Sequence, residues 1–115
     1  MAIDEKALRQ LVDKEAIREL VQCYSRAADR KDMPLLRDLY TEDATDTHGP
    51  HYDGPAKGAF DFIEGKLDSM FYTGHHACNH MVSVDGDVGY GEVYAIVSHV
   101  LSAPDGGRID RKSVV

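Results

Sequence analysis

An Asp-Gly turn between two long runs of β-forming residues constrains this chain more than any other feature of its sequence. The runs are Tyr72–Val84 and Val88–Leu101, and Asp85-Gly86-Asp87 separates them. Because Asp-Gly favours tight turns whose twist matches that of paired strands, the pattern predicts a long antiparallel hairpin. The turn-rich loop at 103–107 should then lead into a further strand that begins near Arg108.

Apolar residues recur at helical spacing in three places before or beside this hairpin. Between Asp4 and about Arg30 they return every three or four positions, which predicts a long helix with one buried stripe, bent or broken near Asp13. Asp32 with Pro34 soon after it indicates the start of a short second helix. Helical spacing resumes between about positions 57 and 70, and the polar segment at 41–53 has room for a short strand at most.

Helices that precede a mostly antiparallel sheet are typical of the α+β class. We therefore expect one domain over residues 1–115, in which a curved sheet wraps around the N-terminal helices. The last predicted strand begins close to the end of the sequence. We expect the sheet to need completion, either by a further C-terminal strand lost through truncation or by a partner that covers its edge.

Charge and composition narrow the classes of partner. The formal net charge is −7, and Lys and Arg are scattered among acids, which argues against nucleic acid or an anionic membrane as the main partner. No apolar run approaches the ~18–20 residues that a membrane helix needs, and the charged N-terminus is unlike a signal peptide. Cys23 and Cys78 lack the spacing of a metal or disulfide motif, so we expect reduced thiols and a cytoplasmic location.

Histidine is the residue type that stands out among possible functional groups. The sequence has six of them: His48, His51, His75, His76, His80 and His99. Motifs for nucleotide binding, zinc proteases and serine hydrolases are missing. Strict alternation along the first hairpin strand would put His75 on one face with Asn79, and His76 with His80 on the other. Such a split suits a single zinc ion poorly, so no metal site is expected.

Two other polar residues occupy positions that invite a role. Asp29 ends the apolar stripe of the first helix, where a carboxylate is either solvated or points into a cavity between helix and sheet. The helix dipole disfavours an acid at that end, so Asp29 calls for a compensating partner. His99 alternates with aliphatic residues and is expected to point inward, where an imidazole needs a hydrogen-bond partner. From the pattern alone, His75 is either a satisfied strand histidine or a catalytic one, and His48 either rims the cavity or is exposed.

Several short segments resemble the SnoaL-like family, which shares a superfamily with nuclear transport factors, scytalone dehydratase, steroid Δ-isomerase and a dehydrochlorinase. The segments are Asp13–Leu20, Ala28–Asp32, Leu39–Ala44, Asp46–Pro50, His75–His80, Val84–Asp87 and Gly91–Tyr94. The resemblance covers nearly the whole chain and implies the cone-shaped α+β barrel of that family. Members usually continue through another long strand that supplies pocket residues, and those residues have no counterpart here.

The resemblance also implies roles for individual residues. Asp29 matches the pocket aspartate of the dehydratase and dehydrochlorinase members, and His75 matches their general-base histidine. His99 lies close to a second pocket histidine of the dehydratase. The substrate-binding positions that the resemblance implies are Tyr24, His48 and Asn79.

The implied function is that of a cofactor-independent lyase or isomerase acting on a small hydrophobic cyclic substrate. The reaction would be a dehydratase-like elimination or a proton shift like that of a ketosteroid isomerase, with His75 as base, Asp29 as its orienting partner and His99 as auxiliary acid. The alternative is a non-catalytic ligand-binding or interaction module of the same fold, and a subunit of a larger oxygenase is a weaker third reading. Expected partners are the small ligand and further copies of the chain, in a dimer or trimer.

Overall fold

The computed structural model describes residues 1–115 and places the helices mainly before the long strands. The helices are α1 (Glu5–Asp29), α2 (Met33–Asp38) and α3 (Ala56–Asp68), and the strands are β1 (Thr45–His48), β2 (Tyr52–Pro55), β3 (Met70–Asp85), β4 (Val88–Ser102) and β5 (Arg108–Val114). The strands form two sheets, β1-β2 and β3-β4-β5, and all their pairings are antiparallel. The predicted α+β class, the long hairpin and the strand that begins at Arg108 are confirmed.

The first helix differs from its prediction in two ways. It is one uninterrupted helix of 25 residues, so the break expected near Asp13 is wrong. Asp13 instead pairs with Arg9 one turn earlier, at 3.4 Å, which supports a continuous helix. The stripe was expected to be buried, yet its residues Leu8, Leu11, Val12 and Leu20 are exposed, and the buried residues of α1 are Ala27 and Ala28.

The chain leaves α1 through a left-handed residue, Lys31, whose φ is 54°. The N–H groups of Lys31 and Asp32 donate to the carbonyls of Ala28 and Ala27, at 3.2 and 2.8 Å, and so close the helix C-terminus. The Asp32 side chain then caps α2, as predicted, by accepting from the backbone N–H of Leu35 at 3.2 Å. This tight connection fixes the point at which α1 ends.

The main core lies where the last turn of α1 meets α2 and α3. Leu36 and Ala59 are fully buried at its centre. The rest of the cluster consists of Ala27, Met33, Ala56, Phe60, Ile63 and Leu67. Between α2 and α3 the chain forms two short strands rather than the single one expected, and Gly49, with φ of 53°, allows the reversal between them.

A β-bulge in β3 changes which side chains face the helices. Ala77 pairs with Ala95 and His80 with Val93, so three steps along β3 oppose two along β4. The extra residue reverses the alternation beyond it. His80, Val82 and Val84 are therefore half-buried on the inner face, while Met81 and Ser83 are exposed. The predicted strict alternation is wrong beyond this bulge: His80 shares the face of His75, not that of His76.

The helix α1 crosses the inner face of the long hairpin. Near the hairpin turn the approach is so close that a Cβ on Gly89 would lie 2.5 Å from Cδ1 of Ile17. A larger residue there would have to displace the end of the Ile17 side chain, so glycine lets the helix and the sheet approach closely. Towards the other end of α1, a hollow separates the helix from the sheet. No helix of the chain combines the length and the apolar character needed to cross a bilayer.

Candidate functional site

The hollow is enclosed by α1, α3, the β1-β2 hairpin and the inner face of the long sheet. It consists of two adjoining cavities of 300 and 370 Å³ that share Tyr24, His48, His75 and His99. Their remaining walls are mainly apolar and include Ala28, Phe62, Ile63, Leu67 and Met70 in one, and Val21, Ala77, Val93, Ala95 and Val97 in the other. An apolar hollow of this size with a few convergent polar groups suits a small ring compound.

Asp29 and His75 meet at the wall of this hollow. Oδ1 of Asp29 lies 2.6 Å from Nδ1 of His75. The backbone N–H of His75 also donates to both carboxylate oxygens, at 2.9 and 3.1 Å. The side chains are 17% exposed for His75 and 30% for Asp29, so water screens their interaction only in part. The carboxylate therefore fixes both the strand and the ring of the same residue.

The position of Asp29 explains why it needs these donors. It is the last residue of α1, where the free carbonyls carry partial negative charge and disfavour a carboxylate. The amide and the ring of His75 supply the compensating positive partners. Because Nδ1 is engaged by the carboxylate, Nε2 is the ring nitrogen of His75 that remains for a ligand in the hollow.

His99 and Tyr24 flank the ring of His75. The His75 and His99 ring centroids are 6.1 Å apart, and those of His75 and Tyr24 are 6.3 Å apart with an edge-on angle of 87°. Burial, and then the charge of His75, lowers the pKa of His99 below its ordinary value of 6.5, against a weaker opposing effect of Asp29. Burial, and then Asp46, raises the pKa of Tyr24. At neutral pH, His99 is therefore uncharged and Tyr24 keeps its proton.

A second carboxylate–imidazole pair faces the hollow from β1. Oδ1 of Asp46 lies 2.8 Å from Nδ1 of His48. The Asp46 side chain is 11% exposed and that of His48 is 42% exposed. Sequence reasoning named His48 but missed its pairing with Asp46. The available signal was their spacing of two residues, which puts both side chains on one face of a strand.

The outer rim of the smaller cavity carries aromatic and basic groups that the sequence did not indicate. The ring of His51 stacks on Phe62 with a centroid separation of 6.1 Å and an interplanar angle of 22°. Lys66, one turn further along α3, holds its ammonium group 5.6 Å from the Phe62 centroid. The spacing of Phe62 and Lys66 was the only clue to this contact.

Of the six candidate site residues, Tyr24, His48, His75 and His99 line the hollow, Asp29 contacts the His75 ring at its wall, and Asn79 is not brought to it. It lies in the β-bulge, where its side chain is exposed, and it lines neither cavity. The bulge turns Asn79 away from the inner face, so the structure gives no support to a substrate contact there. No group of three or more His, Cys, Asp or Glu side chains converges in the manner of a metal site.

Comparison with known proteins agrees with this architecture. A family model described as a SnoaL-like domain matches residues 9–114. Among solved structures, the chain is similar to a protein from Kribbella flavida, with 23% identity and a TM-score of 0.73 over 90% of this chain and 78% of that one. No functionally curated protein matches the sequence significantly.

Two further similar structures come from Novosphingobium aromaticivorans. One is provisionally assigned as a scytalone dehydratase and has 18% identity and a TM-score of 0.70, over 90% of this chain and 83% of that one. The other is provisionally assigned as an aromatic ring hydroxylase and has 26% identity and a TM-score of 0.74, over 90% of this chain and 75% of that one. The first of these two shares the fold alone, at an identity too low to carry an activity.

Proposed function

Since this chain belongs to the SnoaL-like family, we propose that it is a cofactor-independent lyase or isomerase that moves a proton on a small, mainly apolar cyclic substrate. The substrate would carry a carbonyl or hydroxyl group. The observation that carries the proposal is the 2.6 Å contact between Asp29 and His75 at the wall of an apolar hollow. The provisional assignment of one structural relative as a dehydratase is in keeping with this class of reaction.

His75 is the general base of the proposed reaction. Imidazole is the side chain best suited to accept and release a proton near neutral pH. Its Nε2, which Asp29 leaves without a partner, would remove a proton from a carbon next to a carbonyl, or from the carbon beside a leaving hydroxyl group. General base catalysis of this kind contributes roughly 10²–10⁴-fold to the rate.

Asp29 is the positioning residue for that base. Its carboxylate holds Nδ1 of His75 at 2.6 Å and the backbone N–H of the same residue at 2.9 Å. This keeps the proton on Nδ1, leaves Nε2 free to accept, and stabilises the imidazolium that forms. The backbone N–H of His75 keeps the carboxylate in place, so the ring loses its contact with Asp29 if it swings out of the hollow.

His99 and Tyr24 are proposed as hydrogen-bond donors to the substrate. The lowered pKa of His99 makes a neutral ring, which donates through one N–H but is a poor source of a full proton at neutral pH. The raised pKa of Tyr24 likewise keeps its hydroxyl a donor. Both donors would stabilise negative charge that develops on a substrate oxygen.

The test is proton exchange of 2-tetralone, a two-ring ketone, in D₂O followed by ¹H NMR. We expect the wild-type protein to accelerate loss of the signal from the protons next to the carbonyl, relative to buffer. His75→Ala and Asp29→Asn should each lower that acceleration by roughly 10²-fold or more, because each removes the oriented base. His76→Ala is the matched control, since His76 is the adjacent, exposed histidine and should leave the rate unchanged.

Two results would contradict the proposal. Exchange that is no faster than in buffer would remove the catalytic reading. If 2-tetralone then still shifted the resonances of hollow residues, a ligand-binding module of the same fold would be the remaining interpretation. Equal loss of exchange in His75→Ala and His76→Ala would show that the dyad is not responsible.

A further inference from the structure

The Asp46–His48 pair repeats the construction of the Asp29–His75 pair on a different element. In both, a carboxylate oxygen lies against Nδ1 of the imidazole, at 2.8 Å in β1 and at 2.6 Å between α1 and β3. In both, the ring lines each of the two cavities. The hollow therefore contains two oriented imidazoles, each with Nε2 left for a ligand.

The second pair is built into its position rather than left free on the surface. The Asp46 side chain is only 11% exposed, so its carboxylate is held at the base of the hairpin. The His48 ring lies 6.1 Å from that of Phe62 on α3, which limits its movement on the other side. The ring itself is 42% exposed, so a ligand in the hollow can reach it.

No other group that lines the shared part of the hollow is suited to deliver a full proton. Burial lowers the pKa of His99 and so leaves it uncharged at neutral pH. Burial and Asp46 raise the pKa of Tyr24, and burial likewise raises the pKa of Tyr40 beside it. A carboxylate bound to Nδ1 of an imidazole orients the ring and leaves Nε2 to exchange a proton with a ligand. Of the four shared residues, His48 and His75 are the two with such a partner.

We propose that the Asp46–His48 pair is a second acid–base pair that binds the oxygen of the substrate and donates a proton to it. This inference rests on the proposed function, because it assigns the group that acts together with His75. The substrate class is thereby narrowed to cyclic compounds that bear a carbonyl or hydroxyl oxygen on the side of the ring that faces β1.

His48 and His75 together account for every proton that moves in the proposed step. In a proton shift, Nε2 of His75 takes a proton from carbon, the C–H electron pair moves into the C=C bond, and the carbonyl oxygen takes a proton from the imidazolium of His48 to form an enol. The imidazolium of His75 then returns its proton to another carbon as His48 recovers its own from the enol oxygen. In an elimination, Nε2 of His75 takes a proton from the carbon next to the hydroxyl-bearing carbon, and the C–H electron pair forms the C=C bond. The C–O bond breaks, and the leaving hydroxyl takes the proton of His48 and departs as water. Proton exchange with solvent then returns His75 to its neutral form and His48 to its protonated form.

The test uses 2-naphthol, a planar analogue of an enol, with binding followed by the ¹⁵N resonances of the imidazoles and by titration. We expect 2-naphthol to shift the ring nitrogens of His48 as well as those of His75. His48→Gln and Asp46→Asn should each weaken binding by about tenfold, the scale of one charge-assisted hydrogen bond. The matched controls are His76→Gln on the outer face of the sheet and Asp53→Asn on the neighbouring strand, which should bind as the wild type does.

Each outcome separates this inference from the proposed function. If 2-naphthol shifts His75 but not His48, and His48→Gln binds as well as the wild type, the second pair is overturned while the first stands. If His48 shifts and its variants bind weakly but 2-tetralone does not exchange, the oxygen site holds and the proposed catalysis fails. A wild-type protein that does not bind 2-naphthol at millimolar concentration overturns the oxygen site. The wild-type spectrum decides the matter even if a variant does not fold.

Discussion

At the scale of single residues, Asp29 links the fold to the chemistry of the hollow. Its two oxygens accept from the backbone of His75 at 2.9 and 3.1 Å, and one of them also contacts the ring at 2.6 Å. The same carboxylate thus docks β3 against the end of α1 and orients an imidazole. Asp29→Asn keeps an acceptor for the amide but presents an N–H₂ group on one side, so it separates these two roles.

The lowered pKa of His99 predicts a pH dependence of stability. Below its ordinary pKa of 6.5, the unfolded chain binds a proton at His99 that the folded chain resists. The unfolded state then binds more protons, so the free energy of unfolding falls as the pH decreases below that value, until the folded ring also becomes protonated. His99→Gln should flatten this dependence, as measured by urea denaturation from about pH 7 to about pH 5.

The control for this experiment is His51→Gln, which removes an exposed imidazole from the rim. It should keep the wild-type slope of unfolding free energy against pH. If the unfolding free energy of His99→Gln had the same slope against pH as that of the wild type, burial of His99 would have no thermodynamic consequence. His99 would then again be a candidate for the acid of the reaction.

Several site residues could be inferred from the sequence because their signals are local or lie in motifs. Asp29 stands at the end of a helical pattern, and His99 alternates with aliphatic residues on a strand. The Asp46–His48 contact was harder to predict from the sequence, because a spacing of two residues is common. Only the packing of β1 beneath α3 makes this particular pair significant. The side of the sheet on which Asn79 lies could not be predicted, because a bulge leaves no clear mark in the sequence.

At the scale of elements, the bulge in β3 decides which residues are inside. The sequence predicted the hairpin and its turn, since Asp-Gly chemistry is local, but not the extra residue between Ala77 and His80. For α1, the sequence likewise predicted a helix but not which of its residues are buried. At about 1.5 Å per residue its 25 residues reach well beyond the core that its last turn joins, which leaves its N-terminal apolar residues exposed.

The bulge can be tested with two adjacent residues that strict alternation would place the other way round. Val82 is half-buried on the inner face, and Ser83 is exposed. We expect Val82→Asp to lower the free energy of unfolding by about 2 kcal/mol, because it brings a carboxylate into an apolar contact. Ser83→Asp should change it by less than about 0.5 kcal/mol. Urea denaturation of both variants measures the difference, and the reverse order would mean that the bulge is not present in solution.

At the scale of the whole molecule, the isolated chain exposes more surface than its size requires. Its accessible surface is 8576 Å², whereas a monomer of 12.7 kDa exposes roughly 6200 Å². The radius of gyration is 16.9 Å against about 13 Å for a compact chain of this length. The excess comes with apolar side chains, which water solvates unfavourably.

Much of this apolar surface lies on the outer face of the long sheet. Its members include Met81, Tyr90, Tyr94, Ile96 and Val114, each at least 45% exposed. A second exposed apolar group lies on the first turns of α1, at Leu8, Leu11 and Val12. Both surfaces could bury area in an assembly, but the sheet face carries more of the large exposed apolar side chains, and its strands are already paired in register, so a partner needs no rearrangement to cover it.

We therefore predict a dimer or trimer that assembles through the outer face of the sheet. Sedimentation velocity at micromolar concentration should give the mass of the assembly for the wild type, and Tyr94→Glu should shift it to the monomer, because a carboxylate would be buried without a partner. Leu11→Glu is the matched control on the helix surface and should leave the assembly intact. Dissociation by Leu11→Glu instead would place the contact on α1. A wild-type monomer would mean that water covers the sheet face, and the long, open shape would then be that of the protein in solution.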